Sequence, residues 1–219
     1  MTFRWFAALA VSLATLTAFG PATASDVGTS TLRTPIAAEY GFKDLLRDPG
    51  TPRAGPTDAD VTIIMYADYN CGYCKRMEPV LVNALKADRR LAVVHKEWPI
   101  FGDVSEHAAR VALAANYQGQ YPAVHRAFMF SPTRLSDKAT VEAIAKQSGV
   151  DWARLTRDLK THASDIDAIL KRNEREAMLL SLQGTPGLVI NGYLVPGALT
   201  DEQLKTLVQK IRASQKPAA

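Results

Sequence analysis

From Val61 to Tyr66 the chain reads Val-Thr-Ile-Ile-Met-Tyr, and this run leads through Ala67 directly into Asp68-Tyr69-Asn70-Cys71-Gly72-Tyr73-Cys74. A β-branched apolar run without polar alternation reads as a strand buried on both faces, not as one side of a solvated hairpin. From Cys74 the apolar positions Met77, Leu81 and Leu85 recur at helical spacing, and Pro79 within them removes one backbone donor and is expected to kink the helix. The two periods place the only two cysteines, Cys71 and Cys74, at a strand-to-helix junction. A second apolar run, Leu91 to His95, leads to Glu97-Trp98-Pro99. Strand, helix and strand in that order imply a parallel pair with a right-handed crossover, so the fold class is α/β.

The pattern then turns helical for about eighty residues. Asp103 with Glu106 has the spacing of a capping box opening an alanine-rich run to Ala115. Val141, Ile144, Ala145 and Ser148 mark another helix ended by Gly149, and Trp152 through Leu159 to Leu182 is charged on one side. Past Gln183-Gly184-Thr185-Pro186-Gly187 the β pattern returns as Leu188-Val189-Ile190, turns at Asn191-Gly192 and leaves through Tyr193-Leu194-Val195, a strong hairpin signal. Thr200 to Gln203 is a second capping box, followed by Leu204, Leu207, Val208 and Ile211 on one helical face. These boundaries give a sheet domain over 61–102 and 184–213, interrupted by an inserted helical domain over 103–183.

At the start, Arg4 precedes an apolar run from Trp5 to Phe19, then Gly20-Pro21 and Ala22-Thr23-Ala24. This reads as a secretory signal over 1–24 with cleavage near Ala24, since the run is shorter than the ~20 residues of a spanning helix. The mature chain is then expected in an oxidising, extracytoplasmic space. Residues 25–60, rich in Thr, Pro, Gly and Asp, read as an N-terminal arm or linker, not a core. Thr34 and Pro35 could open a short helix there, and Ile36, Tyr40, Phe42, Leu45 and Leu46 form an apolar cluster that must pack on its own domain or on a second copy. A 47% hydrophobic, 22% charged composition argues against disorder, collagen-like repeats and a multi-span membrane protein. The +4 net charge comes with no stretch of basic residues and interleaved aromatics, which argues against nucleic acid as a partner.

Two cysteines are too few for a multi-disulfide framework or a four-thiolate zinc site. At a helix start, unpaired amides and the positive dipole end stabilise the Cys71 thiolate, and such motifs bring a thiol from about 8.5 into the ~3.5–7.5 range. Cys71 is therefore expected to be the exposed nucleophile and leaving group, with Cys74 the buried resolving thiol. Gly72 leaves the amides accessible, and Tyr73 adds an aromatic edge but no positive charge. A purely structural bridge closing so small a loop would remove little unfolded-state entropy. His95, His107, His125 and His162 lack the spacing of a zinc partner pair and read as surface or satisfied core residues, so no metal is expected. Tyr66, Tyr69 and Phe128 read as core.

The frame Tyr66-Ala67-Asp68-Tyr69-Asn70-Cys71-Gly72-Tyr73-Cys74-Lys75-Arg76, with Pro79 in the following helix, resembles the DsbA-like branch of the thioredoxin-fold thiol-disulfide oxidoreductases. The likeness continues through Lys96-Glu97-Trp98-Pro99-Ile100, Ala108 to Ala115, and Gly184-Thr185-Pro186 to Val195-Pro196-Gly197-Ala198. It covers Val61 to Ile211 and is similar to the bacterial periplasmic ScsC-like and outer-membrane-associated members that carry an N-terminal arm. The resemblance implies a thioredoxin fold with an inserted helical domain and a periplasmic enzyme that exchanges disulfides with cysteine-containing secreted proteins. It implies no cofactor, and a membrane redox partner that regenerates the cysteine pair. It makes Thr185-Pro186 the cis-proline loop that lies beside the sulfurs and receives a substrate segment by backbone pairing; a cis bond before proline costs only about 0.5–1 kcal/mol. One departure matters: where many members place a buried acid six residues before the first cysteine, this chain has Met65. Glu97 and Asp68 are then the candidates for proton relay. An oxidase is the expected role; an isomerase or reductase assembled through the arm, and a chaperone-like binding module with incidental thiols, are the alternatives.

Overall fold

The computed structural model describes residues 41–215. The signal segment, the Ala24 cleavage point and the part of the arm with Thr34, Pro35, Ile36 and Tyr40 lie outside the described residues. The chain opens with a short helix α1 (Phe42–Leu46) and a two-residue strand β1 (Arg53–Ala54), then runs through β2 (Val61–Ala67), α2 (Gly72–Ala87) and β3 (Leu91–Glu97). Five helices follow: α3 (Asp103–Asn116), α4 (Tyr121–Met129), α5 (Lys138–Gln147), α6 (Trp152–Thr161) and α7 (Ala163–Leu179). The β4 (Gly187–Ile190) and β5 (Tyr193–Pro196) hairpin and helix α8 (Asp201–Gln215) complete it.

One sheet in the order β1-β3-β2-β4-β5 carries the fold. β2 and β3 are parallel from Val61↔Leu91 to Ala67↔Glu97, and the other pairings are antiparallel. This is the expected α/β sheet with a helical insertion. All seven residues of β2 are buried, as its unbroken apolar run requires. Alternation divides them: Val61, Ile63, Met65 and Ala67 join the larger core with residues of α2, α8 and the inserted helices, whereas Ile64 and Tyr66 meet Leu45, Ala177 and Leu180 on the opposite face. Turn chemistry fixes the hairpin, with Asn191 at φ +46° and Gly192 at φ +87°. At the last helix the capping box forms, Thr200 N–H donating to Gln203 Oε1 at 2.9 Å and Gln203 N–H to Thr200 Oγ1 at 3.2 Å.

Two expectations are corrected, at the arm and at the start of α3. The segment read as an arm is, from residue 41 onward, part of the domain: Leu45 is 1% exposed, β1 pairs with Val93 and Val94, and Asp48 accepts a 2.6 Å bond from the buried Lys96 ammonium. Sheet apolar surface and a buried cation both demand a cover that the insertion supplies only in part. The stretch Trp152 to Leu182 is two helices broken at His162, and the second returns to the sheet. There Glu176 Oε2 accepts from Tyr66 Oη and Lys96 Nζ at 2.9 Å each, and Asn173 Nδ2 donates to the Glu97 carbonyl at 2.9 Å. The capping box at Asp103 is absent; Gly102, at φ +89°, is the N-cap, and Asp103 and Glu106 instead face the positive end of α3 from its first turn.

Candidate active site

Cys71 is the N-cap of α2, and its Sγ accepts the Cys74 amide N–H at 3.3 Å. A thiol is a weak cap, but the position puts the sulfur at the end of the helix where amides are unpaired. From the other side the Cys71 thiol donates to the Thr185 carbonyl at 3.1 Å, and the Thr185-Pro186 bond is cis. The Cys74 thiol, the Thr185 hydroxyl and the amides of Tyr73 and Cys74 outweigh burial and bring Cys71 down to about 6. Burial, followed by the neighbouring Cys71, pushes Cys74 far up. The asymmetry read from the sequence is therefore present in the electrostatics. The expected exposure is not: Cys71 is 3% exposed and Cys74 0%, because the loop at Thr185 lies over the sulfur.

Gly72 is the first residue of α2, and a Cβ there would meet only Arg76 Nη1 at an ordinary 3.7 Å. Tyr73 is 62% exposed, and the Arg76 guanidinium stands 4.1 Å above its ring. The motif thus holds a cation at its rim that the reading of Tyr73 alone missed; a residue three positions along a helix shares its face.

The two relay candidates fare differently. Asp68 Oδ2 accepts the amides of Ile100 at 2.7 Å and Phe101 at 2.9 Å, while Oδ1 accepts the Asn70 amide and the Ser105 hydroxyl at 2.7 Å each. Its carboxylate ties the loop after β3 and the start of α3 to the cysteine turn, and the Asp68 carbonyl accepts the Cys71 amide at 3.1 Å. Glu97 is 2% exposed; its Oε1 accepts from the hydroxyls of Tyr69 and Tyr121 at 2.6 Å each, and burial pushes it up to about 7. Among the described residues neither carboxylate bonds a cysteine sulfur directly, and Glu97 reaches the turn through Tyr69.

Tyr66 and Phe128 are core as read, and Tyr69 is core with a working hydroxyl. His107 faces Glu142 at 3.6 Å, and His162 stacks on Tyr117 with ring centroids 3.7 Å apart. His95 and His125, however, meet Glu78 of α2, so the expectation that each histidine is simply satisfied fails for these two. Their partners come from β3, α4 and α2, so no local spacing signals them. Ile100, Phe101 and Phe130 are also exposed, the first two on the loop that Asp68 holds.

Residues 62–209 match the family model for the DSBA-like thioredoxin domain. Among solved structures the chain is similar to a thioredoxin-like oxidoreductase from Silicibacter pomeroyi DSS-3, at 36% identity and TM-score 0.73, over 80% of this chain and 97% of that one. The catalytic domain of Proteus mirabilis ScsC matches at 30% identity and TM-score 0.70, over 77% and 93%. The thiol-disulfide exchange protein alpha-DsbA2 from Wolbachia pipientis matches at 27% and 0.70, over 80% and 92%. A curated relative, the Na(+)/H(+) antiporter NhaA 3 of Salinispora tropica, is 29% identical over 191 residues, which are 82% of this chain but 28% of that protein. The chain thus spans about a quarter of the length of the curated relatives it matches, and among the described residues no helix is long and apolar enough to cross a membrane. The matched span contains the cysteine turn, the Thr185-Pro186 loop and the sheet that joins them, and by it the chain belongs to the DsbA-like thiol-disulfide oxidoreductases of the thioredoxin fold.

Proposed function

We propose that this chain is a periplasmic protein oxidase, exported by the 1–24 signal and cleaved near Ala24. A substrate thiolate attacks Cys71 Sγ of the oxidised pair, the Cys71–Cys74 bond breaks, and Cys74 leaves as a thiolate that is then protonated. A second substrate thiolate attacks the substrate sulfur of the mixed disulfide and expels the Cys71 thiolate. The substrate, a cysteine-containing secreted protein, is oxidised by two electrons, and the pair is reduced until a membrane redox partner reoxidises it. In the reverse sense, Cys74 resolves a mixed disulfide held on Cys71. Glu97, through Tyr69, and Asp68 are the groups nearest the turn that could carry the proton from Cys74. The Thr185-Pro186 loop offers backbone to an extended substrate segment, and Tyr73, Ile100, Phe101 and Phe130 are exposed apolar side chains available to a substrate.

The observation that carries this reading is the place of Cys71 at the start of α2, bonded to the Cys74 amide and covered by the Thr185 loop, with its thiol held low, at about 6, against a raised Cys74. A stabilised thiolate favours the reduced protein and so makes the disulfide form oxidising. The isomerase alternative needs self-association through the arm, and Phe42, Leu45 and Leu46 are instead spent on the sheet of their own domain. Acid quenching of cells followed by thiol alkylation tests it. The pair is expected mainly oxidised; a pair held reduced overturns the oxidase in favour of an isomerase or reductase. Trapping with Cys74→Ala is expected to collect mixed disulfides with secreted proteins, and a binding module with incidental thiols would collect none.

A further inference from the structure

One helical turn beyond Cys74, Glu78 of α2, His95 of β3 and His125 of α4 converge beside a cavity of about 280 Å³. The three residues are 5%, 8% and 4% exposed, and each offers a ligand atom within 4.8 Å of the others. Glu78 Oε2, His95 Nδ1 and His125 Nε2 are buried without a hydrogen-bond partner. Glu78 Oε2 and His125 Nε2 lie 3.2 Å apart and pair only if a cation stands between them, while His95 Nδ1 has no partner, a desolvation cost for a buried polar group.

The surrounding bonds fix what that joining group must be. Both Tyr69 Oη and Tyr121 Oη donate their hydrogens to Glu97 Oε1, and both lie by His125 Nδ1, at 2.9 and 3.1 Å. With those hydrogens spent, the hydroxyls can only accept, so Nδ1 carries a proton and, in the neutral ring, Nε2 presents a lone pair. That lone pair stands 3.2 Å from Glu78 Oε2, itself a carboxylate acceptor, without hydrogen-bond alignment. Two acceptors this close need a cation between them. A proton would serve Glu78 and His125 but leave His95 Nδ1 unpaired; a metal ion serves all three. Bond lengths of about 2.0–2.2 Å at a tetrahedral angle put adjacent ligand atoms about 3.3–3.6 Å apart, close to the 3.2 Å between Glu78 and His125. The His95 ligand atom lies within 4.8 Å of the other two and has to close by at most about 1.5 Å to reach the same spacing.

We propose that Glu78, His95 and His125 bind one divalent ion of the zinc class, through one carboxylate oxygen and two imidazole nitrogens, independently of the cysteine pair. Two imidazoles and a carboxylate suit this class, and the Glu97–tyrosine–His125 relay supplies the outer shell that orients a ligating histidine. The fourth position faces the cavity, where Arg53 and Arg126 lie on the wall and favour an anionic ligand such as hydroxide or chloride. The ion would staple α2 and β3 of the sheet domain to α4 of the insertion.

The test uses the full chain carrying Cys71→Ser and Cys74→Ser, so that thiols do not compete, stripped with a chelator and titrated with Zn²⁺ and with Co²⁺ as a spectroscopic stand-in. One equivalent is expected to bind, Co²⁺ with the intense visible bands of a four-coordinate site, and Zn²⁺ is expected to raise the melting temperature reversibly. Glu78→Gln, His95→Gln and His125→Gln should each weaken binding at least about a hundredfold, beyond the loss typical of outer-shell changes. Glu78→Gln keeps the side-chain shape, and a melting curve in chelator establishes that it folds, so it decides the matter if a histidine variant does not. Absence of stoichiometric binding, or an affinity that Glu78→Gln leaves within tenfold, overturns the site.

Discussion

Cys74→Ala removes the largest influence holding Cys71 low, the hydrogen bond from the Cys74 thiol, while leaving the Cys74 amide and the Thr185 loop in place. The size of the effect can be worked from the native value of about 6. At pH 5 a thiol of that acidity is about 9% thiolate, against about 0.03% for a free thiol at 8.5, a gain of about 300-fold. A more acidic thiolate is a poorer nucleophile, and a Brønsted slope of about 0.45 over 2.5 units returns about 13-fold of the gain. Reduced native protein should therefore attack a small aromatic disulfide about 20 times faster than free cysteine at pH 5, but only about twice as fast at pH 7. In Cys74→Ala the midpoint of the rate profile should climb from about 6 toward 8.5, and each unit of climb should lower the pH 5 rate about threefold. The assay is stopped-flow reaction with dithiodipyridine from pH 4 to 9, with thiolate absorbance as an independent midpoint. A Cys74→Ala midpoint still near 6 would refute the role given to the Cys74 thiol, and a native midpoint near 8.5 would refute the site electrostatics altogether.

Stability should follow the same group. Because the folded Cys71 value lies below the unfolded one, its contribution is complete above the unfolded value near 8.5 and is lost as pH falls through about 6. Under reducing conditions, the urea-measured stability gap between the native chain and Cys71→Ser should widen from pH 6 to 8, and a flat gap contradicts this. Lys96→Met leaves Asp48 and Glu176 buried with one cation fewer, Arg172 remaining on Asp48. A loss of about 3–5 kcal/mol is expected by denaturant titration, and a loss under 1 kcal/mol means that water reaches the cluster. Gly55 sits at φ +88°, and a Cβ there would lie 2.4 Å from the Leu91 carbonyl oxygen. Gly55→Ala should therefore cost about 1–3 kcal/mol and fray β1, read as faster amide exchange at Val93 and His95, whose N–H groups face β1; exchange as in the native chain refutes the contact.

What the sequence makes legible is what neighbouring residues decide among themselves. Val61 to Tyr66 can bury every side chain only in a sheet interior, Asn191-Gly192 alone accepts the φ values of its turn, and Thr200 and Gln203 lie within reach of each other's amides. The misreadings are of another kind. Asp103 and Glu106 satisfy a local rule, yet the chain arrives at α3 through a φ of +89° that glycine tolerates, and Gly102 takes the cap. Leu45 sits in a segment with the composition of a linker and becomes core because β2 and α7 leave a face for it to cover. Cys71 is placed correctly at its helix start, but its burial is set by Thr185, 114 residues away. His95 and His125 carry no mark of each other or of Glu78 until the sheet and the insertion are both in place.

That separation of Cys71 from Thr185 also sets a clock. Chains emerge N-terminus first at about 5–20 residues per second, so the cysteine turn precedes its lid by about 6–23 s. For most of that interval β2 has β3 beside it but not β4, its partner from Ile63 to Tyr66, and Cys71 lacks both the Thr185 hydroxyl that helps to hold it low and the loop that covers it. Its acidity in the nascent chain rests on the helix end and Cys74 alone. The segment around Thr185 thus comes late to a turn already formed, and in closing over Cys71 it both adds its hydroxyl to the surroundings of the thiol and shields the sulfur from other cysteines.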